Sequence, residues 1–189
     1  MRLLTACPGS VLWLLGDNPY AILNLRREAA ARGVAPERLV FAPRVPRDDH
    51  LARHRLADLF LDTLPVNAHA TASDALWAGL PLLTCMGNTF AGRVSASLLQ
   101  AIGLPELVAS SLAEYEAIAL ALACDAEALA RLRTKLATNR STQPLFDTAR
   151  ITRNLETAYT TMWERTRRGE PSESFIVASA LNLDARDAK

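Results

Sequence analysis

The sequence has few cysteines, and their number and spacing exclude two common kinds of structural site. Only Cys7, Cys85 and Cys124 occur among the 189 residues, and no two of them form a CxxC pair. An odd, widely spaced set favours neither a disulfide framework nor a zinc site, and it indicates a reducing compartment. We therefore expect three unreactive thiols buried in the core of a cytoplasmic protein.

Long apolar runs and a large net charge are also absent. No stretch of about 18 apolar residues occurs, because Pro8 and Gly9 interrupt the one near the start and Asp17 closes it. The formal net charge is +1, so no strong field would draw the chain to nucleic acid or to an anionic membrane. We predict neither partner, and any site for an anion must be local.

The residues that are present predict an α/β domain. Short apolar runs alternate with helical segments, and glycines stand where several of the helices should end. This pattern is typical of a doubly wound parallel sheet of the Rossmann-like kind, in which ligands bind outside the carboxyl ends of the strands. The predicted strands are 11–15, 39–42, 59–61, 82–84 and 107–108, and the predicted helices between them are 20–32, 48–55, 72–78 and 93–102.

The last third of the sequence has a helical pattern only, with segments 112–123, 126–139 and 147–168. The length fits one domain with an added helix and a tail. We assign residues 1–145 to the α/β domain and 146–175 to a C-terminal helix that packs on the domain or crosses from it. Residues 176–189 are polar, and we expect them to be disordered.

The segment 67–74 is the first candidate for a binding site. It follows a predicted strand, opens a predicted helix and consists mainly of small and hydroxyl residues. The free N–H groups and the dipole at such a helix start favour an anion, for which a diphosphate is the obvious candidate. The simpler interpretation is that Thr71 or Ser73 caps the helix, which we expect in either case. Neither a GxGxxG nor a Walker motif occurs.

Three basic residues follow the second predicted strand. Arg47, His50 and Arg53 stand at a spacing of three and would share one face of a helix. Together they could neutralise a phosphate without a metal, and the alternative is a solvated basic face. His50 and His54 could instead form a metal pair, but no third ligand stands nearby in the sequence, so we predict no metal site.

Two carboxylates complete the set of candidates. Asp62 ends the third predicted strand, and Asp74 lies in the helix that follows. Acidic residues at such positions hold ribose hydroxyls in nucleotide-binding α/β folds, although Asp62 can instead close a turn. Trp77 lies inside the same helix, and core packing explains it better than a role in binding.

Several motifs resemble, in order and spacing, the C-terminal catalytic half of the O-GlcNAc transferase family, which includes bacterial and SPINDLY-like members. The matching stretches are SVLWLL at 10–15, VPRDDH at 45–50, LADLFLDT at 56–63, NAHAT at 67–71, DALWAGLP at 74–81, RVSAS at 93–97, PLFD at 144–147 and MW at 162–163. The resemblance extends over residues 8–177. It implies a GT-B glycosyltransferase with two facing Rossmann-like domains, of which this chain is similar to the second.

The resemblance also implies where UDP-GlcNAc binds. His69, Ala70 and Thr71 match the positions that hold the diphosphate, but Ala70 stands where relatives have a threonine, which removes one hydroxyl. Asp74 matches the position that holds the ribose. His50 and Arg53 match contacts to the uridine and the phosphates.

Arg47 stands where relatives often have lysine, so the charge is kept while the geometry changes.

The implied reaction is inverting transfer of the sugar to a serine or threonine of a protein, without a metal or another cofactor. Relatives carry a strand with a lysine before this point, so we expect the α/β domain of residues 1–145, the nucleotide-sugar-binding domain, to lack its first strand. They also carry an acceptor half and protein-binding repeats, which we do not recognise in this sequence. We expect the catalytic base and the protein-binding surface in those regions. The alternative is a truncated, non-catalytic remnant that binds nucleotide or serves as an interaction domain.

Overall fold

The structure of the protein, a computed structural model, describes residues 1–177. The chain divides into two compact units, with the boundary between Leu145 and Phe146. The strands are β1 (Leu12–Leu15), β2 (Leu39–Ala42), β3 (Phe60–Leu61), β4 (Leu82–Cys85) and β5 (Val108–Ala109). The helices are α1 (Arg2–Ala6), α2 (Pro19–Ala31), α3 (Arg47–Arg53), α4 (Ala70–Ala78), α5 (Val94–Ala101), α6 (Leu112–Cys124), α7 (Ala126–Thr142) and α8 (Thr148–Arg167). Short 3-10 turns occupy Pro36–Arg38, His54–Leu56, Pro105–Leu107 and Pro144–Phe146.

All strand pairs in the described residues are parallel, as the alternation of strands and helices predicted. β1 pairs with β2, from Leu12 opposite Leu39 to Leu15 opposite Ala42. β4 lies between β3 and β5. The α/β class and the parallel pairing are therefore confirmed.

The strands form one sheet of two and one sheet of three, whereas we predicted a single sheet. Within residues 1–177, no ladder joins β1 to β3. The chain passes from the first sheet to the second through α3. α3 and the turn that follows it pack against α4, and β3 pairs with β4.

The core surrounds β4, all four residues of which are buried. α4, α5 and α6 all pack against this strand. A strand covered on both faces is typical of parallel sheets, which explains the nearly continuous apolar run in this part of the sequence. A second cluster, formed by Leu4, Ala29, Val34 and Leu39, lies beside β1 and β2.

The three cysteines do not share one environment. Cys85 on β4 and Cys7 after α1 are buried, but Cys124 is exposed. The prediction that all three are core thiols is therefore wrong for Cys124. It is the last residue of α6, and the next residue, Asp125, already caps α7, so its side chain lies at an exposed corner between two helices.

Glycines follow the ends of three helices as the sequence predicted, at Gly33 after α2, Gly79 after α4 and Gly103 after α5. Gly79 follows α4 with φ of 87°, and Gly103 comes shortly after α5 with φ of 72°. Residues with a Cβ rarely adopt this left-handed conformation. The turn after α4 lets the Leu80 N–H bond to the Ala75 carbonyl at 2.9 Å and leads the chain directly into β4.

The second unit contains α8. Asp147 caps its start, because Oδ1 accepts a hydrogen bond from the Arg150 N–H at 2.9 Å. The helix is amphipathic, with an apolar stripe formed by Ile151, Leu155, Tyr159 and Met162. The predicted polar tail lies, from residue 178 onward, outside the described residues. None of the helices in residues 1–177 has the length and hydropathy needed to cross a bilayer.

Gly103, which follows α5, allows the effect of backbone strain to be separated from that of steric crowding. Gly103→Ala should cost more stability than Gly33→Ala, although both glycines have φ of 72°. A Cβ at Gly103 would lie 2.9 Å from Nδ2 of Asn139, whereas a Cβ at Gly33 meets nothing within 4 Å. We expect a loss of about 1 kcal/mol for Gly33→Ala and about 2 kcal/mol for Gly103→Ala in urea unfolding. Equal losses would contradict the crowding at Gly103.

Candidate functional site

Asp62 anchors the loop that leads from β3 to α4. Its buried carboxylate accepts hydrogen bonds from the N–H groups of Thr63 at 2.8 Å and Ala68 at 2.7 Å, and from the Thr84 hydroxyl at 2.6 Å. The Tyr115 hydroxyl donates to the Asp62 carbonyl at 2.9 Å. These bonds occupy both carboxylate oxygens. Of the two roles considered for Asp62, the structure supports the closing of a turn and not the binding of a ribose.

The loop between β3 and α4 is also hydrogen-bonded to the loop that follows β4 and to the first turn of α5. The Asn67 N–H donates to the Ala91 carbonyl at 2.8 Å, and the Ser95 hydroxyl donates to the Ala68 carbonyl at 2.8 Å. The Asn67 side chain donates to the Thr63 carbonyl at 2.8 Å. The backbone of the loop is therefore held up to the start of α4 by bonds to the side chains of Asp62, Asn67 and Ser95 and to the Ala91 carbonyl.

The start of α4 has no side-chain cap. The helix begins at Ala70, its N-cap is His69, and no side chain accepts from its first N–H groups. The prediction that Thr71 or Ser73 caps the helix is wrong, because the helix starts two residues earlier than we predicted and both residues lie inside it. The first N–H groups of a helix have no partner within the helix. Here they lie beside the exposed His69 and Thr71, an arrangement that suits an anion.

Arg53 is held in place by three contacts. Its Nη1 donates to the Pro43 carbonyl at 2.8 Å, and its Nε and Nη2 lie 3.1 and 2.8 Å from Nδ1 of His50. Its guanidinium lies over the Trp13 ring, 5.7 Å from the centroid. The spacing of three therefore did place His50 and Arg53 together. Arg53 orients His50 and is not a freely solvated cation.

These contacts also set the protonation of His50. Because Nδ1 accepts from Arg53, the proton of the neutral ring lies on Nε2. Burial, followed by the charges of His54 and Arg53, lowers the pKa of His50, while Asp74 opposes this shift. The lowered pKa favours the neutral ring, which donates through Nε2. The His54 ring lies 4.6 Å away, and no cluster of three potential ligands for a metal includes this pair within residues 1–177.

Arg47 and Asp74 join α3 to α4. Nη2 of Arg47 lies 3.8 Å from Oδ1 of Asp74, and the Arg47 side chain is 79% exposed. Such a long, exposed ion pair contributes little stability, so both groups remain available to a ligand. Within the described residues, no hydrogen bond or ion pair joins His69 to the basic residues of α3. The candidates thus form two groups, one on α3 with Asp74 and one at the start of α4.

Phe90 lies beside His69, and the sequence pattern did not identify it. Its side chain is 83% exposed, and the two rings meet edge to face at 6.3 Å. The sequence feature that could have identified it is an aromatic residue in the loop between Gly87 and Gly92.

Trp77 also differs from the prediction of core packing, because it is 52% exposed and the Arg140 guanidinium covers its ring at 5.5 Å.

A parallel α/β domain with an uncapped helix start beside basic and hydroxyl side chains is typical of proteins that bind nucleotide phosphates. Comparison with known proteins identifies the family. Residues 1–155 match the model of glycosyl transferase family 41, and the chain belongs to this family.

Curated relatives and a solved structure agree with this assignment. The chain is 37% identical over 171 residues to a UDP-N-acetylglucosamine–peptide N-acetylglucosaminyltransferase of Caenorhabditis elegans. It is 39% identical over 177 residues to a probable enzyme of the same name from Arabidopsis thaliana. A mutant of the O-GlcNAc transferase of Thermobaculum terrenum superposes with a TM-score of 0.79 and 40% identity, over 86% of this chain. The predicted family and its glycosyltransferase fold are confirmed.

The chain is much shorter than these proteins. The matches cover 90% and 93% of this chain but only 15% and 18% of the animal and plant relatives. They cover 32% of the bacterial chain in the solved structure. The activity of the longer relatives therefore comes to this chain only as a proposal.

Asp62→Ala tests the anchoring of the loop. The variant leaves two N–H groups and the Thr84 hydroxyl without their acceptor, so unfolding in urea should show a loss of about 2–3 kcal/mol. Asp62→Asn keeps an acceptor for the two N–H groups and should lose less. A stability equal to that of the wild type for Asp62→Ala would contradict the anchoring role.

The protonation of His50 can be followed by NMR titration of its ring. The pKa should lie below the ordinary value for histidine, rise in Arg53→Ala and fall further in Asp74→Asn, whereas Arg27→Ala on α2 should leave it unchanged. The folded chain then binds this proton more weakly than the unfolded chain does. Stability should therefore decrease as the pH falls below the unfolded pKa and show no contribution from His50 above it. A pKa above the ordinary value would contradict this geometry.

Proposed function

We propose that this chain is the donor-binding half of an inverting O-linked glycosyltransferase that uses a UDP-sugar, with UDP-GlcNAc as the favoured donor. The observation that carries the proposal is the uncapped start of α4, with His69 and Thr71 beside it. Its support is the 37–40% identity to transferases whose names specify UDP-N-acetylglucosamine or O-GlcNAc.

The diphosphate would bind at the start of α4. The N–H groups of the first turn and the Thr71 hydroxyl supply hydrogen bonds, and the helix dipole favours the negative charge. Ala70 contributes only its N–H, because it has no hydroxyl. His69 lies next to these groups as the N-cap. The proposed diphosphate site is therefore His69, Ala70 and Thr71.

The nucleoside would extend towards α3. Asp74 lies one turn beyond Thr71 on α4, where its carboxylate accepts hydrogen bonds from ribose hydroxyls once the weak pair with Arg47 opens. His50, neutral and with a proton on Nε2, donates to a carbonyl of the base or to a phosphate oxygen. Arg53 holds His50 in this state, and the exposed Arg47 supplies positive charge.

The proposed reaction transfers the sugar to a serine or threonine hydroxyl of a protein. The hydroxyl oxygen attacks the anomeric carbon opposite the leaving group, and the bond between that carbon and the phosphate oxygen breaks. The charge that develops on the diphosphate is stabilised by the start of α4 and by Arg47. No metal is needed for this stabilisation. We assign the base that takes the acceptor proton, and the surface that binds the protein, to regions that correspond to the parts of the relatives outside the matched segment.

The second candidate is a non-catalytic remnant that binds nucleotide weakly or serves as an interaction domain. Ala70 is the observation that favours it, because one hydroxyl is absent from the first turn of α4. A loss of one hydrogen bond weakens binding by about five- to ten-fold. The two candidates therefore differ in the expected affinity of the chain for UDP.

Calorimetric titration with UDP tests the proposal. The wild type should bind UDP, Thr71→Val and Asp74→Ala should each weaken binding by about five-fold or more, and Ala70→Thr should tighten it several-fold. Asp58→Asn is the control, because this carboxylate is exposed and pairs with Arg133 away from the proposed site. A folded chain that binds no UDP would contradict the donor site. Binding that appears only in Ala70→Thr would favour the remnant.

A further inference from the structure

Two of the three thiols lie side by side, although they are far apart in the sequence. Sγ of Cys7 and Sγ of Cys124 are 3.2 Å apart across a separation of 117 residues. No spacing motif connects them. A disulfide requires an S–S distance of about 2 Å, so the two sulfurs must approach each other by roughly 1 Å to bond.

The backbone next to each cysteine is held in place, by hydrogen bonds at Cys7 and by the junction of two helices at Cys124. The Cys7 carbonyl accepts from Nη2 of Arg38 at 2.8 Å and from the Ser10 hydroxyl at 2.7 Å. Cys124 ends α6, directly before the Asp125 cap of α7. The same two helices, α1 and α6, are also joined near their starts by an ion pair between Arg2 and Glu116 at 2.6 Å. The two sulfurs therefore meet at a built contact between helices.

We propose that Cys7 and Cys124 form an oxidisable pair, a modification site that takes a two-electron oxidant such as hydrogen peroxide and closes to an intramolecular disulfide. This site is independent of the proposed donor site. Cys85, the third cysteine, lies on the buried strand β4 and does not take part.

The difference in solvent exposure between the two sulfurs indicates which of them reacts first. Cys124 is exposed, so the oxidant reaches it first. Its thiolate attacks one oxygen of peroxide, an S–O bond forms, the O–O bond breaks, and the departing hydroxide takes a proton to become water. Cys7 is buried, and its hydrogen bond with Cys124, followed by burial, raises the pKa of its thiol. Because it is buried and the oxidant reaches Cys124 first, Cys7 is the resolving cysteine.

In the second step, Sγ of Cys7 attacks the sulfenic sulfur of Cys124. The S–S bond forms, the S–O bond breaks, and the Cys7 proton leaves with the hydroxide as a second water. One peroxide is reduced by two electrons, and two thiols are oxidised to one disulfide. A thiol reductant reverses the change.

The link would fasten two parts of the first unit. Leu4 on α1 packs with the cluster beside β1 and β2, whereas α6 packs against β4 and β5. A bond between Cys7 and Cys124 therefore ties the region of the two-stranded sheet to that of the three-stranded sheet. It also closes a loop of more than one hundred residues in the unfolded chain, and long loops give large entropic stabilisation.

Peptide mapping of the full chain tests the proposal. After treatment with hydrogen peroxide and blocking of free thiols, mass spectrometry should detect the Cys7 and Cys124 peptides joined, with a loss of about 2 Da. Cys85→Ala should give the same linked pair, and Cys124→Ser should give none. Oxidation of Cys124 to a sulfinic acid, or dimers through Cys124 with Cys7 still open to alkylation, would overturn the proposal.

Thermal unfolding supplies the second measurement. The oxidised chain should unfold at a temperature about 5–15 °C higher than the reduced chain, and the reductant dithiothreitol should abolish the difference. Cys124→Ser should unfold like the reduced wild type with or without peroxide, because its side chain is exposed. A rise of the same size in Cys124→Ser would overturn the proposal.

Discussion

The hydrogen bonds of the Asp62 carboxylate determine the geometry of the candidate site. This one side chain joins the end of β3, the loop after it and β4, because its oxygens bond to Thr63, Ala68 and Thr84. α4 begins two residues after Ala68, so the direction of the helix and of its free N–H groups depends on this anchor. β3 pairs over only two residues, and the sheet by itself would hold the loop poorly.

Some side chains of the site are fixed by several contacts, whereas others are largely exposed and make few. Arg53 is bonded to Pro43 and His50 and covers Trp13, so its position is set before any ligand arrives. Arg47 makes one long ion pair and is largely exposed. Preorganised groups select the shape of a ligand with little cost in entropy, whereas mobile charges adapt to it.

Much of the fold could be predicted from the sequence, because apolar runs and glycines mark where strands and helices begin and end. The start of α4 was misplaced by two residues, since capping side chains are the usual signal and this helix has none. The turn-closing role of Asp62 was one of two predicted alternatives, but its bond to Thr84 could not be predicted, because Thr84 lies 22 residues away on another strand. The contact between Cys7 and Cys124 and the division into two sheets depend on tertiary packing, which no local pattern encodes.

The loop before α4 has a further consequence for the evolution of the site. Two of its residues contribute only a main-chain N–H to the bonds that hold it, Ala68 to the Asp62 carboxylate and Asn67 to the Ala91 carbonyl. Every residue except proline offers the same N–H. Neighbouring positions such as Ala70 can therefore exchange their side chains while the backbone keeps its course. Such a loop permits the chemistry of recognition to drift, one substitution at a time, on an inherited scaffold.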